Sequence, residues 1–203
     1  MNKVIELNRN ELPYPPPVNI VKAASIGLTN SNRYLQATKL DKLTKMLSIY
    51  SNVDEKSIFL GSGIEVLIAQ ILHLFSKRGK VIIIDPTFFM ITHIAESLGT
   101  KIVKIKLTEP SFNLPMDPVI TEAKNSSLVV IDNPNNPTGR LLIDRRSVDE
   151  LCENLSGIVL IDEGYYEFSH FSVIDMVRNH PNLIVTRTMS KAFGLAGLKV
   201  GYM

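Results

Sequence analysis

Four short runs of uninterrupted aliphatic residues punctuate the chain: Val81-Ile82-Ile83-Ile84, Leu128-Val129-Val130-Ile131, Ile158-Val159-Leu160-Ile161 and Leu183-Ile184-Val185. A strand with one wet face alternates apolar and polar side chains. A run that is apolar at every position predicts a strand covered on both faces. Further strands are expected at Ser57 to Leu60 and at Lys101 to Leu107. Helical periodicity fills the intervals. Leu40, Leu43, Leu47 and Tyr50 share one helix face, and Ile64, Leu67, Ile68, Ile71, Leu72 and Phe75 share another. More helices are expected over residues 88 to 98, from about Asp117, over 144 to 155 and over 173 to 179. Strands alternating with helices in this way give an α/β fold with a largely parallel sheet. In such sheets ligands lie beyond the carboxyl ends of the strands. Polar motifs collect there: Asp85-Pro86-Thr87, Asp132 to Gly139, Asp162-Glu163 and Ser190-Lys191 each follow an apolar run.

The rest of the chain excludes several classes. Its 203 residues are 45% hydrophobic and 21% charged, enough apolar material for a core and too little charge for a disordered chain. The 22 basic and 20 acidic residues nearly cancel at +2, so neither nucleic acid nor an anionic membrane is the expected partner. The single cysteine, Cys152, forms no internal disulfide, and no metal-ligand spacing includes it. The stretch Met1 to Glu6 lacks the apolar core of a signal peptide, and no apolar run approaches the roughly 18 residues of a membrane helix. A cytoplasmic protein is expected. Pro13, Pro15, Pro16 and Pro17 predict an extended segment over residues 8 to 19. Such an arm serves equally as a surface tether or as a cover over a site or a partner subunit.

Lys191 ends the last polar motif, with Ser190 beside it and a glycine-rich stretch, Gly194 to Gly197, leading to a second cation, Lys199. A lone lysine is ordinarily a solvated loop residue. A lysine at a strand end, desolvated or near another cation, loses its proton more readily and can form an imine with a carbonyl. Asn133-Pro134-Asn135-Asn136-Pro137-Thr138-Gly139 reads by itself as a turn-rich loop, and Asp162-Glu163 as an ordinary acidic pair. Taken together they suit one task. A carboxylate at the end of a buried strand stays ionised when a cation such as a protonated ring nitrogen pairs with it.

These motifs, with Asp162-Glu163-Gly164-Tyr165-Tyr166-Glu167-Phe168 and the run from Ser190 to Tyr202, resemble those of fold-type-I pyridoxal-phosphate-dependent aminotransferases. Within that family the chain is most similar to histidinol-phosphate aminotransferases; Leu7 to Glu11 and Asn32-Arg33-Tyr34 fit this subgroup. The resemblance implies a three-layer α/β/α large domain with a mostly parallel sheet, residues 31–203, preceded by an N-terminal arm, residues 1–30. It implies that Lys191 holds pyridoxal phosphate as an imine and shuttles a proton, and that Asp162 pairs with the ring nitrogen. Asn136 and Tyr165 would hydrogen-bond the phenolic oxygen, and Phe88 would stack on the ring. Ser190, Lys199 and the amides of Gly63 and Ile64 would bind the phosphate, the last two at a helix N-terminus. Tyr34 would reach the cofactor phosphate of a second subunit, so a homodimer is implied. The implied reaction moves an amino group from histidinol phosphate to 2-oxoglutarate.

The chain departs from the family pattern at several points. Lys199 stands where arginine is common, replacing a bidentate fork by a point charge. Ile64-Glu65-Val66 replaces a Ser-Asp-Glu run, Leu35 stands where a proline usually follows the tyrosine, and Leu12 where an aromatic sometimes lies. Family members continue well past the position of Met203 into a small domain with a substrate-binding arginine, so a longer enzyme is expected. Two other readings remain open. A threonine-phosphate decarboxylase would share the residues around the ring. A dinucleotide-binding domain is suggested by Gly61-Ser62-Gly63 after a strand and Asp85 at the end of the next, although Val66 fills the third glycine position.

Overall fold

The computed structural model describes residues 6–203; the first five residues of the expected arm lie outside the described part. Seven strands form one sheet in the order β1-β7-β6-β5-β4-β2-β3. They are β1 (Leu60–Gly61), β2 (Lys80–Asp85), β3 (Ile102–Lys106), β4 (Ser126–Asp132), β5 (Ile158–Asp162), β6 (Leu183–Thr188) and β7 (Gly201–Tyr202). From β3 across to β6 every pairing is parallel. β7 runs antiparallel between β6 and β1. All seven residues of β4 are buried, as an apolar central strand requires.

Period-two alternation sends successive side chains of each strand into two different cores. On one face, Ile83, Val130 and Leu160 pack with Ile68, Ile71 and Leu72 of α3 (Ile64–Phe75) and Ile91 and Ala95 of α4 (Phe89–Ser97). On the other, Ile82, Ile131 and Ile161 pack with Leu47 of α2 (Ala37–Ser51), Val119 of α5 (Met116–Ala123) and Val148 and Leu151 of α6 (Arg145–Asn154). Helices on both faces make the three layers. α6 begins where Asp144 accepts hydrogen bonds from the Ser147 amide and hydroxyl, both at 2.8 Å, an N-cap that satisfies one of the orphan donors of the first turn.

Three expectations need correction. Residues 57 to 60 do not make a strand: Asp54 accepts the Lys56 amide at 2.8 Å and folds Glu55–Ser57 into a 3-10 turn, leaving only Leu60–Gly61 in β1. Residues 173 to 179 form a five-residue 3-10 segment, Ile174–Arg178, in place of an α-helix. There the Val173 amide is taken by Glu163 and the Ile174 amide by the Ser172 hydroxyl, so side chains supply the partners of the segment's first amides. The proline segment stays outside helix only as far as Pro17, whose carbonyl accepts from Ile20 and Val21 and starts α1 (Val18–Leu28). No residue of α1 is buried.

The dinucleotide reading loses its structural context here. Gly61 lies in a two-residue strand paired antiparallel at the edge of the sheet, far in strand order from Asp85 on β2. The fingerprint requires a βαβ unit with adjacent parallel strands.

Candidate functional site

The parallel strands bring Asp85, Asp132, Asp162 and Thr188-Met189-Ser190-Lys191 to one edge of the sheet. Asp132 and Asp162 are direct register partners, and Asp162 in turn faces Thr186 on β6. By alternation these three belong to the face that carries α3 and α4. Asp162 is 7% exposed, and its carboxylate accepts the Gly164 amide at 2.8 Å. Burial, with the negative charge of Asp132 second, pushes its pKa up to about 7. Among the described residues no cation forms an ion pair with it.

After β5 the chain turns through Gly164 and Tyr165 into the short α7 (Tyr166–Ser169). A Cβ on Gly164 would sit 3.1 Å from the Asp162 carboxylate and 3.7 Å from Ile64. Asp162, Gly164 and Ile64 therefore line one wall. The Tyr165 phenol accepts a hydrogen bond from Asn10 Nδ2 at 2.9 Å; burial raises its pKa, and that hydrogen bond opposes the rise. Lys191 Nζ lies 5.7 Å from the centroid of the Tyr165 ring and donates to the Arg9 carbonyl at 2.7 Å. Burial lowers the pKa of Lys191, the charge of Lys199 lowers it further, and Glu11 and Glu65 oppose both. An amine held in this way is easier to deprotonate than a free lysine.

At the start of α3, Gly63 has a φ of +90° and no side chain caps the helix. β7 packs closely on this helix end: a Cβ on Gly201 would lie 2.7 Å from Gly63 C and from Ile64 N, which requires glycine at position 201. The Gly63 amide itself donates to the Gly61 carbonyl at 2.9 Å, so the amides left at this helix end begin with Ile64, a position that favours anions. Lys199, with φ +51°, lies over Gly63 and pairs with Glu65 at 3.2 Å. The Ser190 hydroxyl accepts from Thr188 Oγ1 at 2.9 Å. Phe88 immediately precedes α4 and meets Phe89 edge-on at 5.3 Å. Asn136, with Asn10, Asn135 and Tyr165, lines a cavity of about 270 Å³ next to these groups.

Tyr34 is not brought into this assembly and stands fully exposed. Other residues enter it that sequence reasoning assigned no part: the Arg9 carbonyl, Asn10 as donor to Tyr165, Gly201, and Asp132 as more than the first residue of a polar loop. For Asp132 the signal was present, since an acid ending a uniformly apolar run is a buried acid. For Arg9 and Asn10 the resemblance of Leu7 to Glu11 marked the stretch but not its partners, which lie 182 and 155 residues away. The donor set suits a ligand with an anionic end, a carbonyl within reach of Lys191 and a protonated ring nitrogen for Asp162. Among the described residues no group of three or more His, Cys, Asp or Glu side chains could hold a metal ion.

Comparison with known proteins gives the class. The sequence profile of the family "Aminotransferase class I and II" matches residues 2–203, and the chain belongs to that family. The histidinol-phosphate aminotransferase of Sulfurisphaera tokodaii is 36% identical over 208 residues, covering 100% of this chain and 58% of that protein. The crystal structure of the histidinol-phosphate aminotransferase from Clostridium acetobutylicum superposes with a TM-score of 0.84 at 26% identity, over 95% of this chain and 58% of the other. That of Sinorhizobium meliloti, solved in complex with pyridoxal-5'-phosphate, shares the fold with a TM-score of 0.81 at 23% identity, over 96% and 54% of the two chains. The chain thus spans somewhat over half the length of the relatives it matches. No helix among the described residues is long and apolar enough to cross a membrane.

Proposed function

We propose that this chain is the cofactor-holding part of a pyridoxal-phosphate-dependent aminotransferase, and that the whole enzyme acts on histidinol phosphate with 2-oxoglutarate as amino acceptor. The observation that carries the proposal is Asp162: a carboxylate buried at a strand end, with no cation paired to it among the described residues. Burying a charge without a partner is costly, so a site of this kind suits a ligand that brings its own cation. The family membership and the 36% identity to a histidinol-phosphate aminotransferase support the choice of cofactor and substrate.

Pyridoxal phosphate, when bound, supplies an aldehyde for an amine and a protonated ring that stabilises negative charge on a substrate carbon. The residues of the chain do the rest. Asp162 would accept the ring N–H and keep that nitrogen protonated. Lys191 would provide the amine and carry a proton between donor and acceptor positions. Its lowered pKa leaves more of it neutral at working pH. Tyr165 and Asn136 offer hydrogen bonds to the phenolic oxygen, and Tyr165 is already seen accepting one from Asn10. Phe88 would cover one face of the ring and exclude water. Ser190, Lys199 and the Ile64 amide would hold the phosphate, with Lys199 released from Glu65; the Gly63 amide would first have to leave the Gly61 carbonyl. A second copy of the chain completes the site through Tyr34, whose ring is fully exposed.

The test is covalent capture. Purified chain incubated with pyridoxal phosphate and then borohydride should carry one pyridoxyl group on Lys191, located by peptide mass spectrometry. Lys191→Ala should carry none while keeping its circular dichroism spectrum. Labelling spread over surface lysines, or undiminished in Lys191→Ala, would reject the assignment. In the complete enzyme, turnover of histidinol phosphate should fall by at least about a thousandfold in the same variant.

A further inference from the structure

Asp132 and Asp162 end neighbouring strands in register, and both are buried, at 2% and 7% exposed. They are served very differently. Asp132 Oδ1 accepts from Thr87 Oγ1 and from Asn135 Nδ2, both at 2.9 Å. Its Oδ2 accepts the Asn136 amide at 2.7 Å and, more weakly, the Phe88 amide at 3.4 Å. Asp162 takes one backbone amide. The donors to Asp132 come from two segments that meet nowhere in sequence: residues 87 and 88 before α4, and residues 135 and 136 after β4. Asn135 Nδ2 ties the same segments a second time through the Pro86 carbonyl at 3.0 Å.

We propose that Asp132 is a positioning residue of this site: its buried carboxylate clamps the Phe88 segment to the Asn136 segment and sets a second negative charge beside Asp162. The role of the two clamped residues around a ring rests on the function proposed above; the clamp itself does not.

The chemistry calls for a carboxylate. Only an ionised acid accepts at both oxygens with no donor to misplace, and hydrogen bonds to a charged acceptor are the shorter and stronger kind. Asparagine has the same shape but presents N–H groups toward the amides that one carboxylate oxygen now accepts. Of two adjacent buried acids, the one with more donors keeps its charge and the other keeps a proton. Burial raises the Asp132 pKa and its hydrogen bonds from the Asn136 amide, Asn135 and Thr87 pull it back; with four donors against one, Asp132 is the former. The groups that act on Asp162 are Asp132 from β4, Thr186 from β6, Tyr165 from the turn beyond, and Glu163 beside it, already paired with Arg187. The charge of Asp132 would therefore make Asp162 favour a protonated ring nitrogen over a neutral one.

Two variants of the whole chain test this. In Asp132→Asn, 13C NMR titration of the Asp162 carboxyl in the cofactor-free protein should show its midpoint falling by about one unit or more, since a like charge is gone. Amide exchange at Phe88 and Asn136 should quicken by roughly tenfold or more as the two segments separate locally. Affinity for pyridoxal phosphate should weaken by about tenfold. In Thr87→Val, which removes a donor and leaves the charge, exchange at Phe88 should quicken while the Asp162 midpoint does not fall. An unmoved midpoint together with unchanged exchange would overturn the proposal, and if Asp132→Asn does not fold, unchanged exchange in Thr87→Val alone would do so. Failure of the wild-type chain to take up pyridoxal phosphate would sink the functional reading instead. The midpoint and exchange rates would still decide the clamp.

Discussion

Two acids adjacent in sequence, Asp162 and Glu163, lie on opposite faces of the sheet and meet opposite fates. Glu163 points to the face of α2 and α6, where Arg187 Nε reaches its Oε2 at 2.9 Å and a second guanidinium nitrogen at 2.8 Å. The Ser172 hydroxyl and the Val173 amide take up remaining lone pairs, and the Tyr166 ring stacks 3.7 Å from the guanidinium carbon of Arg187. Charge, hydrogen bonds and ring are all internal. Asp162 points to the face of α3 and α4 and has a single amide and an acidic neighbour. The lesson is that adjacent acids can be answered in different ways: Glu163 has its cation within the chain, and Asp162 has none among the described residues, as the proposed role at a protonated ring requires.

That contrast breaks most decisively at Arg187. Arg187→Met leaves Glu163 charged and alone in the core, and should cost about 3–5 kcal/mol in urea denaturation. The double variant Arg187→Met with Glu163→Leu should regain most of this, because no unpaired charge remains. A single variant as stable as the wild type would end the comparison.

Asp162→Asn should act with the opposite sign. The folded protein holds the Asp162 proton up to about pH 7, against about 3.8 for the ordinary group, so between these values the folded state binds more protons than the unfolded. Stability from this group is therefore present below pH 4, lost as pH rises from about 4 to about 7, and level above. Asparagine has no such loss. The cofactor-free variant should exceed the wild type by on the order of 4 kcal/mol at pH 8, and by little near pH 4, with urea melts at both values as the measure.

The smallest effect sharpens the comparison from outside the core. Arg145 makes the same kind of acid–guanidinium pair with Asp175, bidentate at 2.8 and 2.9 Å, but with both side chains close to half exposed. Water already solvates these charges, so Arg145→Ala should cost less than about 1 kcal/mol, with a loss that shrinks further in salt.

Much of the architecture was legible. Strands β2, β4, β5 and β6 were readable because burial on both faces leaves no polar position to blur the run. The helices α3 and α6 were readable because one apolar stripe must face the sheet. What failed was short or conditional. β1 is two residues long and exists through pairing with β7, with Phe59 and Met203 exchanging backbone hydrogen bonds beside them at 2.7 and 2.9 Å. The 3-10 segment at Ile174–Arg178 depends on side chains from Ser172 and Glu163 that no local propensity reveals. α1 was missed because prolines speak for the residues before them and not for those that follow.

The sequence by itself determined the buried strands and the helices packed on them, and which strand ends carry reactive groups, because periodicity and turn chemistry act over a few residues. Only the tertiary structure decided which charges are answered. Asp162 next to Asp132, Glu163 under Arg187 and Lys191 against Arg9 are relations across 30, 24 and 182 residues. Electrostatic energy depends on separation in space and on how much water is excluded, and distance along the chain is silent about both.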